Sequence, residues 1–202
     1  MKKSSILLLS LLVLGCTRIE SPNSLLSRKK EAVVQLAPAD TSNSIYQTSD
    51  HFVTENKEQM ILKDLRGKPV VVSMIFTSCA GACPRLVADM KNIEKAMRKD
   101  KDEVTYLLVS FDTERDSAAV LKAYAKGYEL DNHWILLHGS KAAVRSLSVL
   151  LNVSYTKESN GFFTHENKVS VLDQNGVLRF QQEGLGQNPE VIADVLHQLL
   201  DS

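Results

Sequence analysis

Apolar and polar positions divide the chain into three stretches. Residues 6–14 (ILLLSLLVL) form one greasy run behind Lys2 and Lys3, ending at Gly15–Cys16. Residues 17–45 (TRIESPNSLLSRKKEAVVQLAPADTSNSI) are polar and keep no period, which predicts a tether that spans up to ~100 Å when fully extended. From residue 46 the pattern alternates strands with helices. HFVTE and QMILKDL read as a leading hairpin before an RGK turn. PVVVSMIFT (69–77) is almost continuously apolar and β-branched, as a strand buried on both faces should be. Pro84 suits the first position of a helix with Cys83 at its cap, and Leu86, Met90, Ile93 and Met97 then recur at helical spacing. EVTYLLVSF (103–111) is a second buried strand, after which Asp116 or Ser117 caps a helix running through Leu121 and Tyr124 to Gly127. HWILLHG is a third strand, and Ser140 caps a helix over 141–151. NKVSVLDQNGVLRF is a late hairpin turning at Asn175-Gly176, and Pro189 opens a final amphipathic helix to Leu200. This order predicts an α/β fold with a central mixed sheet, an N-terminal hairpin and a late β-hairpin insertion, which a thioredoxin-like layout fits.

The greasy run is too short to span a membrane, which takes about 20 apolar residues, so it reads as a secretory signal. VLGC resembles a bacterial lipobox, in which Cys16 becomes the lipidated N-terminus. Residues 1–15 are thus expected as a lipoprotein signal peptide, 16–45 as a flexible tether and 46–202 as one thioredoxin-like domain. The expected location is extracytoplasmic, on a lipid anchor in a bacterial membrane, facing the periplasm if the cell is Gram-negative. Lys+Arg and Asp+Glu balance at 24 each, so no basic surface suggests nucleic acid.

Composition matters most for sulfur. Of three cysteines, Cys16 is assigned to lipid, which leaves Cys79 and Cys83 in FTSCAGACPRL. A loop this short removes little chain entropy, so a purely structural disulfide would stabilise weakly. Both residues follow a central strand and meet a helix N-terminus, whose amides favour thiolate. Ala80, Gly81 and Ala82 offer no bulk against closing the pair around a bond or an ion, and the spacing does not choose between them. Two thiolates suit Cu(I), and an imidazole would complete a three-coordinate site also able to hold Cu(II). Among five histidines, His51, His133, His138 and His197 read as surface or flanking residues. His165, in GFFTHENKVSVLD, enters the late hairpin, a segment that faces the first-helix N-terminus in thioredoxin-like folds. No proline occurs between Pro84 and Pro189, where thiol oxidoreductases of this fold usually carry one opposite the thiols. Asp112 is expected to shape a turn, Phe162 and Phe163 to pack, and Met74 to lie in the core.

DLRGKPVVVSMIFTSCAGACP, VSFDTERDS with LKAYAKGY, WILLHGS and THENKVSVLDQNG occur in this order over roughly residues 50–200. Together they resemble the Sco/SenC family of copper-binding assembly proteins. That resemblance implies that Cys79, Cys83 and His165 bind one copper ion. It also implies a role in delivering copper to the binuclear copper site of cytochrome c oxidase subunit II, or in reducing the thiols there. Ala80 departs from a proline often found after the first family cysteine. Two functions compete on these residues. One is a membrane-tethered copper chaperone. The other is an extracytoplasmic thiol–disulfide reductase, with Cys79 and Cys83 as its redox pair, acting on the oxidase or on another copper or thiol protein outside the cytoplasm. A peroxidase is disfavoured, because a typical peroxiredoxin has Thr where this chain has Cys79.

Overall fold

The structure is a computed structural model and describes residues 36–202. The expected signal peptide, Cys16 and the tether as far as residue 35 lie outside the described residues. Among the described residues no helix is long and apolar enough to cross a membrane.

The leading hairpin forms as β1 (His51–Thr54) and β2 (Gln59–Ile61), and the rest of QMILKDL tightens into a 3-10 turn. β3 (Val70–Ile75), α1 (Ala82–Ala96), β4 (Thr105–Ser110), α2 (Ala118–Gly127), β5 (Trp134–Gly139) and α3 (Lys141–Leu150) follow the expected alternation. A short hairpin of β6 (Tyr155–Lys157) and β7 (Phe163–His165) comes next, then β8 (Lys168–Leu172), β9 (Leu178–Glu183) and α4 (Pro189–Leu200). The main sheet runs β2-β1-β5-β4-β3-β8-β9, and β6 and β7 form a separate two-stranded sheet. β3, β4 and β5 are parallel and β8 is antiparallel to β3, so the sheet is mixed and the fold is the α/β, thioredoxin-like one.

β3 is buried at every position, as its unbroken apolar run requires. Its parallel register with β4 pairs Ile75 with Ser110, which sets Phe76 beside Phe111 just past the carboxyl ends of both strands. Its antiparallel register with β8 pairs Val72 with Ser170, and the Ser73 hydroxyl donates to the Lys168 carbonyl at 2.7 Å. Continued by a few residues, that register carries the segment before β8 back over the loop after β3.

Two local details differ from the pattern. α1 starts at Ala82, so Cys83 lies inside the helix and Pro84 is its third residue. Proline fits there because no amide of the first turn has an intrahelical acceptor. The late hairpin turns through a wider loop than Asn-Gly suggests, with only Gly176 in the left-handed region at φ 74°. The Asp173 carboxylate organises that loop by accepting from the amides of Asn175 (2.9 Å) and Val177 (3.1 Å).

Residues 36–45, the end of the expected tether, lie on the domain. The Ala37 amide donates to the Arg179 carbonyl at 2.8 Å, the Ile45 amide to the Gly176 carbonyl at 3.0 Å, and Ile45 and Tyr46 are buried. Tyr46 covers Gly176 so closely that an added Cβ would meet its ring at 2.7 Å. Gly176→Ala is therefore expected to cost about 2 kcal/mol through left-handed strain and the clash. That is a fall in Tm of roughly 4–8 °C by calorimetry, and an unchanged Tm would contradict this packing.

Candidate metal centre

The strand registers assemble the site. Cys79 sits in the loop between β3 and α1, its amide donating to the Phe76 carbonyl at 3.2 Å, and Cys83 lies in the first turn of α1. The Cys83 amide donates to the Cys79 sulfur at 3.4 Å. Burial alone would raise the Cys79 thiol, but the amides of Cys83, Gly81 and Ala82 outweigh it and hold the thiol below its ordinary range. Cys83 is fully buried, and burial drives its thiol far upward. One sulfur is half-exposed and easily ionised; the other is buried and keeps its proton.

His165 is the last residue of β7, opposite Tyr155. Paired residues of a strand ladder share a face, so Tyr155, Lys157, Phe163 and His165 point one way and Thr156 and Thr164 the other. The imidazole lies 5.1 Å from the Phe111 ring and 5.9 Å, edge-on, from Phe76 (centroid distances). Its Nδ1 is 3.1 Å from the Glu166 carbonyl, which can only accept, so Nδ1 carries the proton. Nε2 then presents its lone pair 3.7 Å from the Cys83 sulfur. A backbone partner that fixes the tautomer is the usual support for a metal-binding histidine.

The two sulfurs and Nε2 all lie within 4.8 Å of one another. Metal–sulfur and metal–nitrogen bonds of about 2.3 and 2.0 Å set three trigonal donors roughly 3.7–4.0 Å apart. The donor set therefore fits one soft cation after sub-ångström adjustment. Two thiolates and an imidazole favour Cu(I) over harder ions.

The other histidines stay apart. His133 Nε2 is 3.0 Å from Asp102 and His197 Nε2 is 3.6 Å from Asp100. His51 is exposed at the start of β1, and His138, on β5, is partly buried. Met74 is core, as expected. Phe163 packs on Phe76 and Phe111, whereas Phe162 is exposed.

Asp116 has a different part from the one its position suggested. Ser117 caps α2, and Asp116 is buried beneath the cysteine loop. It accepts from the Thr77 amide (2.9 Å), the Thr77 hydroxyl (2.5 Å) and the Ser110 hydroxyl (2.5 Å), tying that loop to the end of β4. Asp112 is buried too, and pairs with Arg115. Asp116 was legible only as a helix cap, and Phe76, Phe111 and Thr77 are supports that spacing alone did not single out. Their one sequence signal was an aromatic residue directly after each of two buried strands.

The SCO1/SenC family model matches residues 38–201 of this chain. A SCO1 protein homolog of Bacillus subtilis is 24% identical over 150 residues, 71% of this chain and 78% of that protein. A SCO1/SenC family lipoprotein from Bacillus anthracis superposes with a TM-score of 0.71 at 27% identity, covering 78% of this chain and 96% of that one. ScoI of Bradyrhizobium japonicum, solved with copper bound, gives a TM-score of 0.63 at 26% identity, over 74% and 96% of the two chains.

The unequal sulfurs have a direct chemical readout. In the reduced, metal-free protein at pH 7, iodoacetamide is expected to alkylate Cys79 at least about tenfold faster than Cys83. Raising the pH should bring the Cys79 rate to its plateau earlier than that of a free thiol, because the neighbouring amides hold its thiol below the ordinary range, while Cys83 stays slow. Timed quenching with peptide mass mapping measures both rates, and equal rates would contradict the geometry.

Proposed function

The chain belongs to the SCO1/SenC family, and from that premise we propose that it is a copper carrier, holding one copper ion as cargo between Cys79, Cys83 and His165. The reading rests above all on the convergence of the two sulfurs and Nε2 within 4.8 Å. The copper-bound relative from Bradyrhizobium japonicum supports it.

Each residue has a distinct task. Cys79 offers a ready thiolate at the mouth of the site. Cys83 gives up its proton as the ion enters, which makes uptake release protons and strengthen with pH. His165 arrives from the hairpin side with its tautomer set by the Glu166 carbonyl. Phe76, Phe111 and Phe163 keep water from the inner side, so exchange with an acceptor takes place at the half-exposed Cys79 face. The acceptor we propose is the binuclear copper site of cytochrome c oxidase subunit II, or another extracytoplasmic protein that needs copper or reduced thiols. Lipid on Cys16 would hold the carrier at the membrane surface with its domain outside the cytoplasm.

The unequal thiols also favour a second reading. In a thiol–disulfide reductase, the Cys79 thiolate would attack a partner disulfide, and Cys83 would displace the second partner thiol while closing its own bond to Cys79. His165 separates the two. Anaerobic Cu(I) titration of the reduced protein is expected to give one copper per chain. Cys79→Ser, Cys83→Ser and His165→Ala are each expected to weaken retention by about 100-fold or more. Full copper affinity in His165→Ala, with thiol exchange intact, would favour the reductase instead. For the anchor, labelled fatty acid should enter the wild-type chain and not Cys16→Ser, and equal labelling would remove the lipid from the proposal.

A further inference from the structure

The β6–β7 hairpin delivers His165, yet it lies outside the main sheet and has three paired positions per strand. A hairpin of that size is marginal alone, so its placement depends on tertiary fastenings. Aromatic packing supplies area but little direction. Holding a metal ligand takes directional contacts good to about half an ångström.

Those contacts come from the segment after β4. Arg115 pairs through Nε with the carboxylate of Asp112, whose side chain is 1% exposed, and its Nη2 donates to the Gly161 carbonyl at 2.8 Å. Gly161 lies at the hairpin tip with φ 81°, a conformation that side-chain-bearing residues rarely adopt. Its own amide donates to the Glu158 carbonyl at 2.9 Å, and Glu158 donates to the Phe162 carbonyl at 2.8 Å, so the tip is a closed turn. Glu114 grips the same hairpin through Lys157 at 2.6 Å, but both side chains of that pair are well exposed, and such pairs hold weakly.

Asp112 adds an independent pointer. One of its carboxylate oxygens is buried without any partner and the other depends on Arg115. A half-satisfied buried carboxylate is a poor stability device. It makes sense as the anchor of an arginine that must stay in one place. Asp116, at the other end of the same segment, holds Thr77 beside the cysteine loop.

We propose that Arg115 is a positioning residue: anchored on Asp112, it latches the tip of the β6–β7 hairpin and thereby sets His165 at ligand distance from Cys83. The inference deepens the copper reading and rests on it for its metal arm alone. Residues 112–116 thus form one bracket, with Asp116 on the thiol side and Arg115 on the imidazole side.

The test uses the whole protein with Arg115→Met, Arg115→Lys, His165→Ala and the Arg115→Met/His165→Ala double variant. In the metal-free state, Arg115→Met lowers Tm by leaving the buried Asp112 carboxylate unpaired, but amide exchange at Gly161 and at Glu166 should rise about tenfold or more beyond the change at the β4 amides, which report the global loss. Arg115→Lys keeps a charge for Asp112 but not the planar fork that reaches two partners, so its hairpin should loosen as well. In the loaded state, copper loss to an excess chelator should be about tenfold faster in Arg115→Met. It should be no faster in the double variant than in His165→Ala. Wild-type hairpin exchange in either Arg115 variant, or faster copper loss on adding Arg115→Met to His165→Ala, would overturn the latch. A wild-type protein that takes up no copper would sink the copper reading, while the exchange measurement would still decide the latch.

Discussion

The antiparallel pairing of β3 with β8 is the constraint on which the site depends. Parallel neighbours alone would send every strand of the sheet the same way. Reversing β8 beside β3 makes the chain leaving one strand and the chain entering the other meet at one edge. The cysteine loop is the first of these and the His165 segment is the second. Pairing fixes their relative height through main-chain hydrogen bonds, and a slip of one residue would turn every buried side chain of β8 to the opposite face. Five consecutive buried positions in β8 make that slip expensive.

Given this frame, the two sulfurs are made unequal by a few ångströms of depth. The α1 amides reach Cys79 and stabilise its thiolate, whereas Cys83, in the first turn of the helix, is buried, and burial penalises its charge. Such a pair suits an ion that arrives at an anionic donor and is then drawn toward a second. It also suits attack and resolution in thiol exchange. Carrier and reductase share this half of the site because both need one accessible thiolate and one protected thiol. The imidazole is what separates them. A redox pair has no need of a nitrogen lone pair aimed at its buried sulfur.

The walls are built with the same economy. Phe76 and Phe111 are neighbours because β3 and β4 are parallel and in step, and their rings receive His165 and Phe163 from the hairpin. Beneath them the Asp116 carboxylate is met by three hydrogen bonds, which makes its burial tolerable. Above them the Asp112–Arg115 pair reaches the hairpin tip. Apolar packing excludes water here, and the charged groups set position.

The amino-acid sequence determined the elements and the chemistry on its own terms. Unbroken apolar runs marked the central strands, which are buried on both faces, and 3.6-residue spacing marked the four helices of the described residues, each of which buries one face. The rarity of cysteine drew attention to Cys79 and Cys83. His165 was legible as a candidate through its place before the late hairpin and through family resemblance, not through any local spacing. The β6–β7 hairpin was missed, since three-residue strands of mixed polarity carry almost no periodic signal. The ends of the cysteine helix and of the late turn shifted because Pro84 is tolerated throughout a first turn and because Asp173, two residues before Asn175, organises the loop. Only the tertiary structure decided which imidazole meets the sulfurs, which thiol is buried, and that Asp116 braces a loop instead of capping a helix. Those outcomes depend on strand register and burial depth, which are properties of contacts between distant segments and are not written in the order of residues within any one of them.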